Sequence, residues 1–191
     1  MVTRIEVLAH DNDGRAKTLE KALAAKGKPA SVRVADIYTS EHAKATSENF
    51  TNSLANPVTQ TILNPSYRQK PGSRANENQI PDQVGEDDAE LNFDWALEIG
   101  FLPGVTDNVG STASELLELA GAENDNAVYS SRLYLIKGDL GKSDIEDLAG
   151  DLSNSLIQRA SIKSADEFKS DSGMDTVIPR VTLNTTGNSA A

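Results

Sequence analysis

The sequence contains no cysteine. That excludes a disulfide framework, a thiolate nucleophile and any cysteine-based zinc site. Aromatic residues make up only 5% of the 191 residues, so a core must rest on Leu, Ile, Val and Ala. Basic residues are few and scattered: 18 Lys and Arg stand against 29 Asp and Glu, a net charge of -11. A chain so acidic, without a basic cluster, is a poor fit to nucleic acid or to an anionic membrane. No apolar run approaches the ~18 residues of a membrane-spanning helix. The opening MVTRIEVLAH is too short and too charged for a signal peptide, which fits a cytoplasmic protein.

The best-specified stretch is LEIGFLPGVTDNVGSTASELLELAG, Leu97 to Gly121. Leu97 and Ile99 alternate with Glu98 and Gly100, the period of a half-buried strand over 92–100. Pro103-Gly104 stops that strand, because proline fixes φ and glycine tolerates positive φ. Thr106 or Asp107 can cap a helix over 107–120. Val109, Ala113, Leu116, Leu117 and Ala120 fall on one helical face, and Gly121 sits where the helix should end. One glycine, no following lysine and an aspartate argue against reading this turn as a phosphate loop.

Other segments follow the same logic. RIEVLA (4–9) predicts a strand with Ile5 and Val7 inward. The run Asp11-Asn12-Asp13-Gly14 lacks the closing glutamate of a calcium loop and reads as a helix cap. Ala16, Leu19 and Leu23 predict a helix over 15–26, closed by Gly27. ASVRVADIY (30–38) predicts a second strand. Ser40 is placed to cap a helix over 41–55, which Asn56-Pro57 would terminate before a short strand within 58–63. Residues 64–90 hold three prolines, two glycines and an acidic run, and read as a linker or surface loop. Further on, AVYSSRLYLIK (127–137) predicts a strand and Ser143-x-x-Glu146 a capping box. Ile145, Leu148 and Leu152 predict a helix, and 156–162 a closing strand. Past Phe168 the chain turns polar, with VIPRVTL as an apolar island and a frayed end.

The order of elements occurs twice. Ile5-Glu6-Val7 matches Leu97-Glu98-Ile99, Gly27 matches Gly121, and Asn56 to Gln60 echoes Asn154 to Gln158, at offsets of roughly 92–98 positions. Each unit reads β-α-β-α, and a unit of roughly 60–70 residues buries too little by itself. Two units can cover each other's sheet or join edges. The expected fold is α+β: two β-α-β-α repeats forming an intrachain pseudo-dimer, with antiparallel-rich sheets and helices on one face. The expected division is repeat 1 over 1–63, linker over 64–90, repeat 2 over 91–168 and a C-terminal extension over 169–191.

LPGVTDNVGSTASELLEL, followed by a strand, a capped helix and NSLIQ, resembles the PurS subunit of phosphoribosylformylglycinamidine synthase. RVADIYT and LANPVTQ resemble the first PurS-like half of the fused PurS–PurL form, and IPRVTLNT the stretch before its synthetase region. The resemblance implies a non-catalytic assembly domain of de novo purine biosynthesis. Such units pair with each other and bridge the ATP-dependent synthetase and the glutaminase. The whole enzyme is a glutamine-dependent ligase using ATP and Mg; no cofactor is expected in this chain. The glutaminase would need a cysteine, and the synthetase region is absent. The chain therefore reads as a domain piece, a fragment or an unfused double PurS, with a homo-oligomer as a further expectation. Pro103, Gly104, Thr106 and Asp107 are the expected partner contacts.

Little else points to chemistry. His10 and His42 have no ligand or base partner at motif spacing. Glu86, Asp87, Asp88 and Glu90 read as a solvated run, and Asp144, Glu146, Asp147 and Asp151 as the wet side of the last helix. Trp95, the single tryptophan, reads as a residue of the core or of the pseudo-dimer interface. The rival expectation is a small-ligand regulatory module built from paired β-α-β units, by analogy of fold.

Overall fold

A computed structural model describes residues 2–63, 91–123 and 127–180. The fold is α+β, with one six-stranded antiparallel sheet. The elements run β1 (Thr3–Ala9), α1 (Gly14–Ala25), β2 (Ser31–Ser40), a 3-10 turn (Ala43–Thr46), α2 (Glu48–Ser53) and β3 (Gln60–Ile62). They continue with β4 (Trp95–Phe101), α3 (Asn108–Leu119), β5 (Val128–Lys137), α4 (Lys142–Leu152), β6 (Gln158–Ser164) and α5 (Ala165–Ser170). Strand order is β3-β1-β2-β5-β4-β6. The two chain segments thus join edge to edge along β2 and β5, paired from Ser31↔Lys137 to Ser40↔Val128.

One sheet face carries α1 to α4. Val32, Val34, Leu97, Tyr134 and Ile136 meet Ala16, Leu19 and Leu23 of α1 and Ile145, Leu148 and Ala149 of α4. Farther along the same face, Ile5, Val7 and Val128 meet Phe50 of α2 and Ala113 and Leu117 of α3. The opposite face is covered by Leu63, Leu91, Phe93, Phe168 and Met174, packed on Leu8, Ala35, Ile37, Ala96, Leu133 and Leu135. Phe93 and Phe168 stack edge to face, with centroids 5.1 Å apart.

Helix ends follow the expected chemistry. Asp13 caps α1 by accepting from Arg15 N and Ala16 N. Gly27 (φ +75) and Gly121 (φ +89) close α1 and α3 in the left-handed conformation that a side chain disfavours. Lys28 N then donates to Leu23 O and Ala122 N to Leu117 O, at 3.0 and 3.2 Å. Two of the carboxylates read as the wet side of the last helix also find partners. Lys26 and Lys28, just past α1, pair with Asp151 and Asp144 of α4.

Several expectations are corrected. Strand β4 is buried on both faces, and Glu98 is as inaccessible as Leu97, because α5 and the segments around Phe93 cover the side read as wet. The expected helix over 41–55 is a 3-10 turn and a short α2, broken at Ser47, whose backbone is extended; only Ala45, Phe50 and Leu54 bury there. Ser40 ends β2 instead of capping a helix, and its Oγ accepts from His42 N. Val109 is 53% exposed, and Gly110 takes its place on the inward face of α3 beside Ala113 and Leu117, which bury as expected. The Ser143–Glu146 capping box does not form; the Asp144 carboxylate accepts from Gly141 N at the helix start. The capping box lies instead at Ser164 and Glu167, which start the unanticipated α5. The acidic run Glu86, Asp87, Asp88, Glu90, the stretch 64–90 and the tail beyond 180 lie outside the described residues.

Candidate functional site

The turn that joins β4 to α3 carries the four candidate contact residues. Leu102 N donates to Ile157 O at 2.9 Å, fixing the exit of β4, and Val105 N donates to Leu102 O at 3.2 Å, closing the turn. Gly104 sits at φ +82. Pro103, Gly104 and Thr106 are exposed. Asp107, not Thr106, caps α3. Its Oδ1 accepts from Gly110 N at 2.8 Å and from Ser130 Oγ at 2.7 Å, and its Oδ2 accepts from Ser130 N at 2.5 Å. One carboxylate therefore brackets the first turn of α3 to β5.

Two more residues tighten that bracket. Ser114 Oγ donates to Gly110 O and accepts from Val128 N, both at 2.9 Å. A side chain at Gly110 would put its Cβ 2.4 Å from Asp107 Oδ2 and 2.5 Å from Val128 O. Helix and strand approach too closely there for any residue but glycine. Gly104, Thr106 and Asp107 line a groove of about 520 Å³ with Phe101, Tyr129, Pro179 and Arg180. Arg180 is ion-paired with Glu41. The donors of Gly110 and Ser130 are spent on Asp107, so the helix start offers them to no anion.

The start of α1 is built with charge. Arg15 donates to both Asp13 and Asp36, with closest approaches of 2.8 and 2.7 Å. Hydrogen bonding from Arg15 holds the Asp13 carboxyl below the usual range. Asp36 on β2 is also 3.5 Å from Arg132 on β5. These two line a second hollow of about 230 Å³ with Ser130, Tyr134, Val109 and Leu152.

The opposite sheet face holds an ionic network that sequence reading missed. Glu6 and Glu98 are each 1% exposed. Arg4 Nε donates to Glu6 Oε1 at 2.6 Å, and its two terminal nitrogens donate to Glu98 at 3.3 and 2.8 Å. Ser131 Oγ donates to Glu98 Oε1 at 2.6 Å, and Arg159 stands 4.0 Å away. Burial lowers the pKa of Arg159, against the pull of Glu98. The available signal was the shared glutamate in Ile5-Glu6-Val7 and Leu97-Glu98-Ile99: a charge repeated at one strand position marks a placed group.

The remaining candidates are structural. His10 Nε2 lies 3.0 Å from Thr61 Oγ1. His42 precedes the 3-10 turn instead of lying on a helix face, and its Nδ1 accepts from Lys44 N. Trp95 donates from Nε1 to Leu140 O at 2.8 Å, half-buried beside the α1–α4 core. Among the described residues, no group of three or more His, Asp or Glu is placed to hold a metal ion. No described helix is long and apolar enough to cross a membrane. No protein-family model and no curated protein matches this chain.

Proposed function

We propose that this chain is a non-catalytic assembly domain, a duplicated PurS-like unit that bridges the synthetase and the glutaminase of a phosphoribosylformylglycinamidine synthase. The observation that carries the reading is an agreement of register. Ile5 stands opposite Tyr38 as Leu97 stands opposite Tyr134, and Val7 opposite Ile62 as Ile99 opposite Ala160. The sheet order also reads alike from either end, β3-β1-β2 against β6-β4-β5.

The turns into β3 and β6 add atomic detail. Asn56 N donates to Gln60 Oε1 and Asn154 N to Gln158 Oε1, each at 2.9 Å. Val58 N donates to Asn56 Oδ1 and Leu156 N to Asn154 Oδ1. Within this reading residues 1–63 and 91–168 are the two repeats, and Pro103, Gly104, Thr106 and Asp107 form a rigid docking turn toward a protein partner.

The test is a pull-down of the intact chain with its cognate synthetase and glutaminase. Capture of both supports the assembly role; a normally folded chain that binds neither contradicts it. A second reading, a small-ligand module, draws on the hollow where Asp36, Arg132, Ser130 and Tyr134 converge. An amino acid or nucleotide that raises the melting temperature in a thermal-shift screen would favour it, since only native-state binding stabilises.

A further inference from the structure

We infer that the β2–β5 seam is charge-coded for the mixed pair: the C-terminal half is built to join the N-terminal half and not a second copy of itself. The inference rests on reading the halves as copies. If Ile5 corresponds to Leu97, their partners Tyr38 and Tyr134 correspond, and two residues earlier Asp36 corresponds to Arg132. In the β2–β5 ladder Asp36 stands opposite Arg132. Val34 faces Tyr134 and Tyr38 faces Ser130 on either side, so the pseudo-twofold axis passes through the Asp36–Arg132 pair.

A residue on such an axis meets its own copy in any self-pair. Two C-terminal halves would set Arg132 against Arg132. The opposite face repeats the asymmetry. Glu98 is held by Arg4 from the N-terminal half. The position matching Arg4 in the C-terminal half is Ala96, so in a self-pair each buried Glu98 would lose its bidentate guanidinium and keep only Ser131 and Arg159. Each face of the seam therefore places on the N-terminal half the counter-charge that the C-terminal half lacks. Like charges directly opposite in adjacent strands destabilise the pairing, and a buried carboxylate without its partner costs more.

The test uses the full chain with a protease site placed between residues 63 and 91, cut after folding. Native mass spectrometry then reads which halves associate, before and after a cycle of unfolding and refolding in urea. In the parent sequence every associated C-terminal half should be found one-to-one with an N-terminal half. Arg132→Asp and Asp36→Arg should each weaken that complex about fivefold, and the exchange Asp36→Arg with Arg132→Asp should restore it to within about twofold. Circular dichroism of the uncut variants checks that each still folds. C-terminal self-pairs in amounts comparable to the mixed pair would overturn the inference. So would halves that part on cutting, single variants with unchanged affinity, or a folded double exchange that fails to restore it. The assembly role fails separately, through loss of binding to synthetase and glutaminase by the uncut chain.

Discussion

The two faces of the sheet are held by different physics. On the helix face, four helices press Leu, Ile, Val and Ala against the strands, and its charged groups, such as Asp36 and Arg132, keep contact with water. The opposite face buries the ionic network of Arg4, Glu6 and Glu98 as well as the apolar cluster of Phe93, Phe168 and Met174. The first face tolerates loss of a charge and resists change of shape. The second should respond the other way, because a desolvated carboxylate depends on its guanidinium far more than an exposed one does.

The largest effect that separates the faces is expected from Arg4→Met. It takes the bidentate guanidinium from Glu98 and the Nε donor from Glu6, and should lower stability by about 3–5 kcal/mol, read as a shifted urea midpoint at constant slope. Next comes a purely steric change on the helix face. Gly110→Ala drives a methyl into Val128 O and the Asp107 carboxylate, and should cost about 1–3 kcal/mol by the same measurement. Asp36→Asn removes a water-exposed partner of Arg15 and Arg132 and should cost under about 1 kcal/mol in the intact chain. If Arg4→Met and Asp36→Asn proved equal, the contrast between faces would be wrong.

A smaller effect concerns acid. Arg15 holds Asp13, Lys28 holds Asp144, the backbone N–H of Ser164 holds Glu167 and Lys163 holds Asp171, each below the ordinary carboxylate range. Because the folded pKa values are depressed, these groups contribute stability at pH above the unfolded values, near 4, and lose it as pH falls through the folded ones. The urea midpoint should therefore decline between about pH 5 and pH 3, modestly, since these groups are solvent-screened.

The helix face was legible in the sequence because periodicity reports apolar burial. Ala16, Leu19, Leu23, Ile145 and Leu148 are read directly, as are Gly27 and Gly121, and the cap of α3 is narrowed to Thr106 or Asp107. The opposite face was not. Alternation assigned Glu6 and Glu98 to water, since a strand pattern cannot tell a solvated glutamate from one paired across four strands. Val109 and Gly110 were exchanged for a related reason: a glycine carries no hydrophobic signal, although its missing side chain is what lets α3 approach β5. In the candidate turn, the cap and the turn were legible, but the bond from Ser130 to Asp107 spans two elements and has no local signature.

The most direct measurement is the mass of the species formed when the intact chain is mixed with its cognate synthetase and glutaminase, followed by size-exclusion chromatography with light scattering. The assembly role predicts a single complex containing all three, reduced by substitution at Pro103 or Thr106 in the exposed turn. A folded chain that elutes apart from both proteins would contradict it.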